Sequence, residues 1–213
     1  SGVVAIRPSP GVIPFERRSL ALTTYQTQGP MARTVADASL LLAAMARRNP
    51  LDPMAFPLDP DQFRTVDEVD LSRLRVAVSE DLGVAPVAND VRQSFRDRVS
   101  RFGSVFGGVE ARDPKFDGVL DVFWYLRGVY MLAKHQDMID RYGEEVNPNV
   151  RSNYAAAIKM TAKDIGWAAR EQYRLCQDFA RFFEDVDVLI CPAVTVTPFP
   201  FAQLYPTEID GQP

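Results

Sequence analysis

An α/β layer fold is what this sequence predicts, and three observations carry the expectation. Short runs rich in β-branched residues recur at residues 2–7, 74–78 and 187–191, each of strand length. Between them lie longer stretches whose apolar residues repeat at helical spacing, some behind capping residues. The resulting order (strand, helix, strand, helix, strand, helices, strand) is that of a sheet layered with helices. The chain has 213 residues, 46% hydrophobic and 24% charged, which suits one globular domain with a sizeable core.

Each element has a local cause. Residues 2–7 read as a strand that Pro8 closes, and residues 9–30 as a loop punctuated by Pro10-Gly11, Pro14 and Gly29-Pro30. Thr34 is an N-cap with Asp37 in the capping-box position, and Val35, Ala38, Leu41, Leu42 and Met45 give the helix behind it one buried face. Arg33 and Asp37 are expected to form a local ion pair. Residues 51–70 carry Pro53, Pro57 and Pro60 and read as a surface excursion. Leu74, Val76 and Val78 alternate with Arg75, Ala77 and Ser79, the period of a strand. Asn89 is expected to cap a helix with the stripe Val91, Phe95, Val99 and Phe102, and residues 105–110 form another short strand.

Residues 117–142 predict a long helix. Val119, Val122, Phe123, Leu126 and Tyr130 make one face, and Trp124, Tyr125, Met131 and Leu132 fall elsewhere around it. Apolar on more than one side, this helix is expected to be well buried. Asn147-Pro148 breaks the pattern. Thr161 and Asp164 repeat the capping box, and Ile165, Ala168, Gln172, Cys176, Phe179 and Phe183 run down the next helix. Residues 187–191 form a compact apolar strand ended by Pro192, and residues 210–213 are a turn sequence.

Composition argues against several functions. The net charge of -4 gives no bulk attraction to nucleic acid or to an acidic membrane. Two cysteines, Cys176 and Cys191, make no disulfide framework and suit the reducing cytoplasm, and one histidine, His135, leaves no His/Cys metal site. The chain contains no G-x-S-x-G elbow, S-x-x-K, phosphate-binding glycine loop or HExxH. His135 lies on a predicted helix as a packed or surface residue rather than a triad member, and Cys191 follows a buried-looking strand as an inert small hydrophobe. None of the lysines, Lys115, Lys134, Lys159 and Lys163, lies in the apolar setting that makes an ammonium into a base. The aromatic set Trp124, Tyr125 and Tyr130 reads as core before pocket.

A set of segments changes this reading. Gln28-Gly29-Pro30-Met31-Ala32-Arg33-Thr34-Val35-Ala36-Asp37 resembles the Gly-Pro-Met-x-Arg-Thr-Val-x-Asp segment of the amidase-signature family. Val3-Val4-Ala5-Ile6-Arg7-Pro8-Ser9-Pro10-Gly11 resembles the strand and turn of that family, with Ala5 where glycine is usual. Asp52-Pro53, the strand from Leu74, and Asp185-Val186-Asp187-Val188-Leu189-Ile190-Cys191-Pro192-Ala193 follow in family order, with Ala193 where threonine is usual.

The resemblance implies hydrolysis of a carboxylic acid amide by a Ser–cis-Ser–Lys triad, without metal or cofactor. In the family the lysine and both serines precede the segment that opens this chain, so no catalytic residue is carried onto this sequence. The implied architecture is a partial amidase-signature fold, a mixed central sheet flanked by helices, with residues 1–213 as a single incomplete domain truncated at both ends. For the substrate pocket the expectation is Trp124 and Tyr125, from the family's variable middle, and Thr195, in the loop after a strand end where α/β ligand sites lie. The partner expected is a small-molecule amide. Open sheet edges add self-association or a complementary chain. Two alternatives stay open: a glutaminase-type subunit of a tRNA-dependent amidotransferase, and a non-catalytic relic or binding module.

Overall fold

The structure, a computed structural model, describes residues 2–212. The chain forms two compact units, one containing the chain up to Glu68 with Gly128–Ile158, the other Val69–Arg127 with the chain from Lys159 onward.

In the first unit β1 (Val4–Ala5) pairs antiparallel with β2 (Met31–Ala32), Val4 opposite Ala32 and Ala5 opposite Met31. The strand is shorter than its β-branched run: the Ile6 amide still donates in register to the Pro30 carbonyl at 3.1 Å, but Pro30 has no N–H with which to return a bond and continue the ladder. Helix α1 (Val35–Met45) starts where expected: Thr34 Oγ1 accepts the Asp37 amide at 3.1 Å and donates to the Asp37 carboxylate at 2.7 Å. With Asp37 so engaged, Arg33 forms no ion pair with it among the described residues. The helix buries Ala38, Leu42 and Ala43, while Val35 and Leu41, predicted for the same face, are exposed. Its buried side joins Val12, Ile13 and Ala46, with Ile6, Met45, Leu58 and Phe63 packed around them.

The excursion over residues 51–70 is held to this core through Asp52. That carboxylate takes the guanidinium of Arg18 at 2.6 and 3.0 Å and the amides of Phe15 and Met54 at 2.8 and 3.0 Å. Arg18 also donates to the carbonyls of Thr23 and Gln26, so one buried pair organises three stretches of loop.

In the second unit three parallel strands lie in the order β4-β3-β5: β3 (Arg75–Val78), β4 (Gly108–Ala111) and β5 (Val188–Ile190). Val76 pairs with Val109 on one side and Val188 on the other. Parallel and antiparallel pairing thus both occur, in separate sheets. Helix α2 (Asn89–Phe102) makes the crossover from β3 to β4. Between β4 and β5 the chain runs through α3 (Val119–Tyr142), whose first part belongs to this unit and whose remainder belongs to the first, α4 (Pro148–Ile158) of the first unit, and α5 (Ala162–Phe182) of this one. Ala77, Phe182 and Val186 form the core, with Leu189 against them. Phe179 extends it, touching Phe116, Phe182 and Phe183 at centroid distances of 5.3, 6.3 and 5.0 Å.

Three expectations change here. Helix α3 buries Val122 and Met131 but leaves Leu120, Phe123 and Trp124 exposed, so each of its apolar sets is covered only in part and the helix is not well buried. Asn147-Pro148 starts a helix: α3 is already over at Tyr142, the Asn147 side chain accepts the Asn149 amide at 2.9 Å and Pro148 opens α4, where a missing N–H costs nothing. Asn89 is not a cap. Ala88 holds that position, and Asn89 is the first residue of α2.

The capping box of α5 forms as predicted. Thr161 Oγ1 accepts the Asp164 amide at 3.2 Å, and Asp164 accepts the Thr161 amide at 2.9 Å. Replacing Thr161 with alanine is expected to lower stability by about 1 kcal/mol, read as a lower denaturant midpoint at constant slope. Thr161→Ser should stay near wild type.

Candidate functional site

In the second unit, β3 and β4 end in the loops 79–88 and 112–118. A cleft of about 520 Å³ opens there, lined on one side by Phe95 and Val99 of α2 and on the other by Ser79, Glu80 and Asp113. Ser79, nearly inaccessible, donates its hydroxyl to Asp113 at 2.6 Å and accepts the Leu82 amide at 2.7 Å. Leu82 has a φ of 58°, a left-handed conformation rare for a bulky residue. The Ser79 hydrogen bond holds it there, and strain of this kind gathers at sites.

The acids of the cleft are all paired. Arg96 forks onto Glu80 at 2.5 and 2.7 Å, and Arg92 reaches Glu80 at 3.3 Å and Asp81 at 2.7 Å. The Arg96 hydrogen bonds hold the Glu80 carboxyl below its usual range, against its partial burial and with help from Arg92. At Asp81 burial pulls upward, but the Gly83 amide and Arg92 together lower it. Both carboxylates therefore stay ionised and neutralised in place. They can fix the strand-end loops and bind, but they offer no proton for general acid catalysis. The sequence reading missed this constellation. Its signal was present: two acids directly after a strand, and arginines at i and i+4 on the following helix.

The predicted pocket residues occupy different surroundings. Trp124 is 52% exposed, with Arg127 over its ring at 5.4 Å and Phe123 edge-on at 6.1 Å. Tyr125, one residue on and half-buried, turns to Trp167 of α5 at 5.9 Å. Thr195 lies beyond β5, exposed, and its carbonyl accepts the Ala88 amide at 2.8 Å. That bond joins the loops leaving the carboxyl ends of β3 and β5, the switch point of the order β4-β3-β5.

All four lysines are exposed, whereas a lysine base is made by burial. Burial pushes the Cys191 thiol up, away from the reactive thiolate. Among the described residues no group of three or more His, Cys, Asp or Glu is placed to hold a metal ion. No helix of the described residues is long and apolar enough to cross a membrane.

The segments that carry the family resemblance now have places: the β1 strand and turn, the β2 loop with its capped α1, the Asp52 turn, β3 and β5. The chain belongs to the amidase family, whose model matches residues 1–212. Among its relatives is an acylamidase of Rhodococcus erythropolis, 27% identical over 212 residues, which are 99% of this chain and 44% of the relative. Another belongs to the glutamyl-tRNA(Gln) amidotransferase of Thermosynechococcus vestitus, as one subunit of that enzyme, and is 24% identical over 93% of this chain and 46% of the relative. The solved structure of a bacterial aryl acylamidase of the amidase-signature enzymes superposes with a TM-score of 0.79 at 20% identity, over 99% of this chain and 46% of that one. The fold is therefore the amidase-signature fold in part, and the chain spans about half the length of the curated relatives it matches.

Proposed function

We propose that the complete protein hydrolyses a carboxylic acid amide to acid and amine, and that this chain is the half that carries the capped α1 segment and the β4-β3-β5 sheet. The observation that carries the reading is the unbroken family match over residues 1–212. In this reading a serine oxygen bonds to the amide carbon and the C–N bond breaks. The nitrogen leaves as the amine with a proton relayed from the serine, and water then releases the acid. The Ser–cis-Ser–Lys triad is supplied from outside these residues. The exposure of Lys115, Lys134, Lys159 and Lys163 supports that assignment. The likeness to the acylamidase favours an acyl amide as substrate. A second reading, a glutaminase subunit that hands ammonia to a partner, is favoured by the likeness to the glutamyl-tRNA(Gln) amidotransferase.

The test is to offer the complete polypeptide acetanilide, propionamide and glutamine in turn. Release of aniline or ammonia from the first two is expected. Glutamine turnover alone, dependent on a co-purifying second protein, would establish the second reading. A folded protein inert to all three would leave a binding module.

A further inference from the structure

Helix α1 breaks a rule that α2 keeps. The exposed residues of α2, from Asn89 to Arg101, are all polar or charged, as the outer face of a solvated helix should be. The exposed residues of α1 are Val35, Ala36, Asp37, Leu40, Leu41 and Ala44. Asp37 is the single polar one, and its carboxylate is taken by the Thr34 hydroxyl at 2.7 Å. Successive residues of a helix are turned about 100° apart, so Ala36, Leu40, Leu41 and Ala44 share the side away from the buried Ala38 and Leu42. Leu40 and Leu41 remain 53% and 41% exposed. A helix apolar on every side is a buried helix, so the outer side of α1 is suited to a cover that the described residues do not supply.

The shape of this side says what fits it. Ala36, Leu40 and Ala44 stand four residues apart and form one ridge of the helix surface. The alanines at its ends let a second helix approach to about 8–10 Å, with Leu40 and Leu41 entering the grooves of that helix. No charge lies on the ridge, so the facing surface must be apolar. The size of the side says where the cover comes from. Four side chains, two of them alanines, are few beside the roughly 20–30 residues a side of a stable interface between separate chains. A segment of the same polypeptide needs no such area, because the covalent link holds it at high effective concentration. The chain spans about half the length of the relatives it matches, which gives such a segment a source.

We propose that the outer side of α1 is a docking surface for an apolar helix of the same polypeptide, contributed by the part outside residues 1–213. This rests on the amide-hydrolase reading in taking the chain as one part of a longer protein, and adds the surface at which the parts join.

Single cysteines in the complete polypeptide test it. Leu40→Cys and Ala44→Cys, made separately, each put a thiol on this side, and Ala44→Cys guards against a fold lost with the leucine. Maleimide labelling is read by peptide mass spectrometry, which separates these positions from Cys176 and Cys191. Both positions are expected to label more than about tenfold more slowly in the native protein than in urea, since a docked face reacts only when it opens. The protection should survive about hundredfold dilution, because a contact within one chain does not depend on protein concentration. Native labelling within about tenfold of the urea rate at both positions overturns the docking surface. Protection that disappears on dilution assigns the face to a second copy and overturns the same-polypeptide cover. No substrate enters these measurements, so acetanilide turnover can fail while the docked face stands, and the docked face can fail while turnover stands.

Discussion

Replacing Asp52 with alanine is expected to destabilise the first unit by about 3–5 kcal/mol, the cost of leaving a buried partner charge unpaired. The side chains of Arg18 and Asp52 are 3% and 0% exposed, so water cannot take over either role. The Arg18 hydrogen bonds, against the cost of burial and with the amides of Phe15 and Met54, lower the Asp52 carboxyl from 3.8 to about 2. A depressed carboxyl stabilises the folded state above its unfolded value, and that stability is lost as pH falls through the folded value. The contribution is thus fully present above about pH 4 and disappears towards pH 2. It amounts to about 2 kcal/mol. Urea midpoints measured across this window should fall for the wild type and stay flatter for Asp52→Ala. The double variant Arg18→Met with Asp52→Leu should recover only part of the loss. It removes the stranded charge but leaves the Phe15 and Met54 amides without their acceptor. Equal stability of wild type and Asp52→Ala at pH 7 would contradict this account.

Gly11→Ala should be comparably severe, at least about 3 kcal/mol. A Cβ at Gly11 would stand 2.0 Å from the Met54 carbonyl oxygen, and the residue has a φ of 92°. Neither side can yield cheaply, because the contact is backbone on backbone and Met54 is tied to Asp52. Gly118 provides the contrast. Its φ is 75° but nothing lies within 4 Å of the added carbon. Gly118→Ala should cost only the left-handed conformation, about 1 kcal/mol. Thermal melts of the two variants separate close approach from backbone strain, and similar losses in both would refute the role given to Met54.

Thr34, Thr161 and the alternation through β3 were legible in the sequence because their causes lie within a few residues. What escaped depends on distant partners. Asp52 was visible as part of a family segment, yet its arginine is 34 residues away. Asn89 carried the sequence signature of a cap, but the acceptor for its amide comes from Asp210, 121 residues on. Helix α4 was hidden because Pro148 reads equally as an end and as a beginning. Glu80 and Arg96 were each visible, but not their pairing, since only the fold sets the strand-end loop beside the second turn of α2. Trp124 and Tyr125 point to different neighbours because adjacent residues on a helix are turned about 100° apart.

The join between the starts of β3 and β5 has a consequence for how the protein is made. Asp187 takes the amide and guanidinium of Arg75 at 2.8, 3.1 and 2.8 Å, and returns its own amide to the Arg75 carbonyl. Those bonds close a loop of 112 residues. On a ribosome adding about 5–20 residues per second, β3 waits roughly 6–22 s for its second neighbour. During that interval one edge of the parallel sheet is bare, and Val76 and Ala77, later among the most deeply buried residues of the unit, have no cover on that side. The first unit's Arg18–Asp52 core can close long before. Chaperone demand and misfolding during synthesis should therefore concentrate in the span between β3 and β5, where contacts are most distant along the chain.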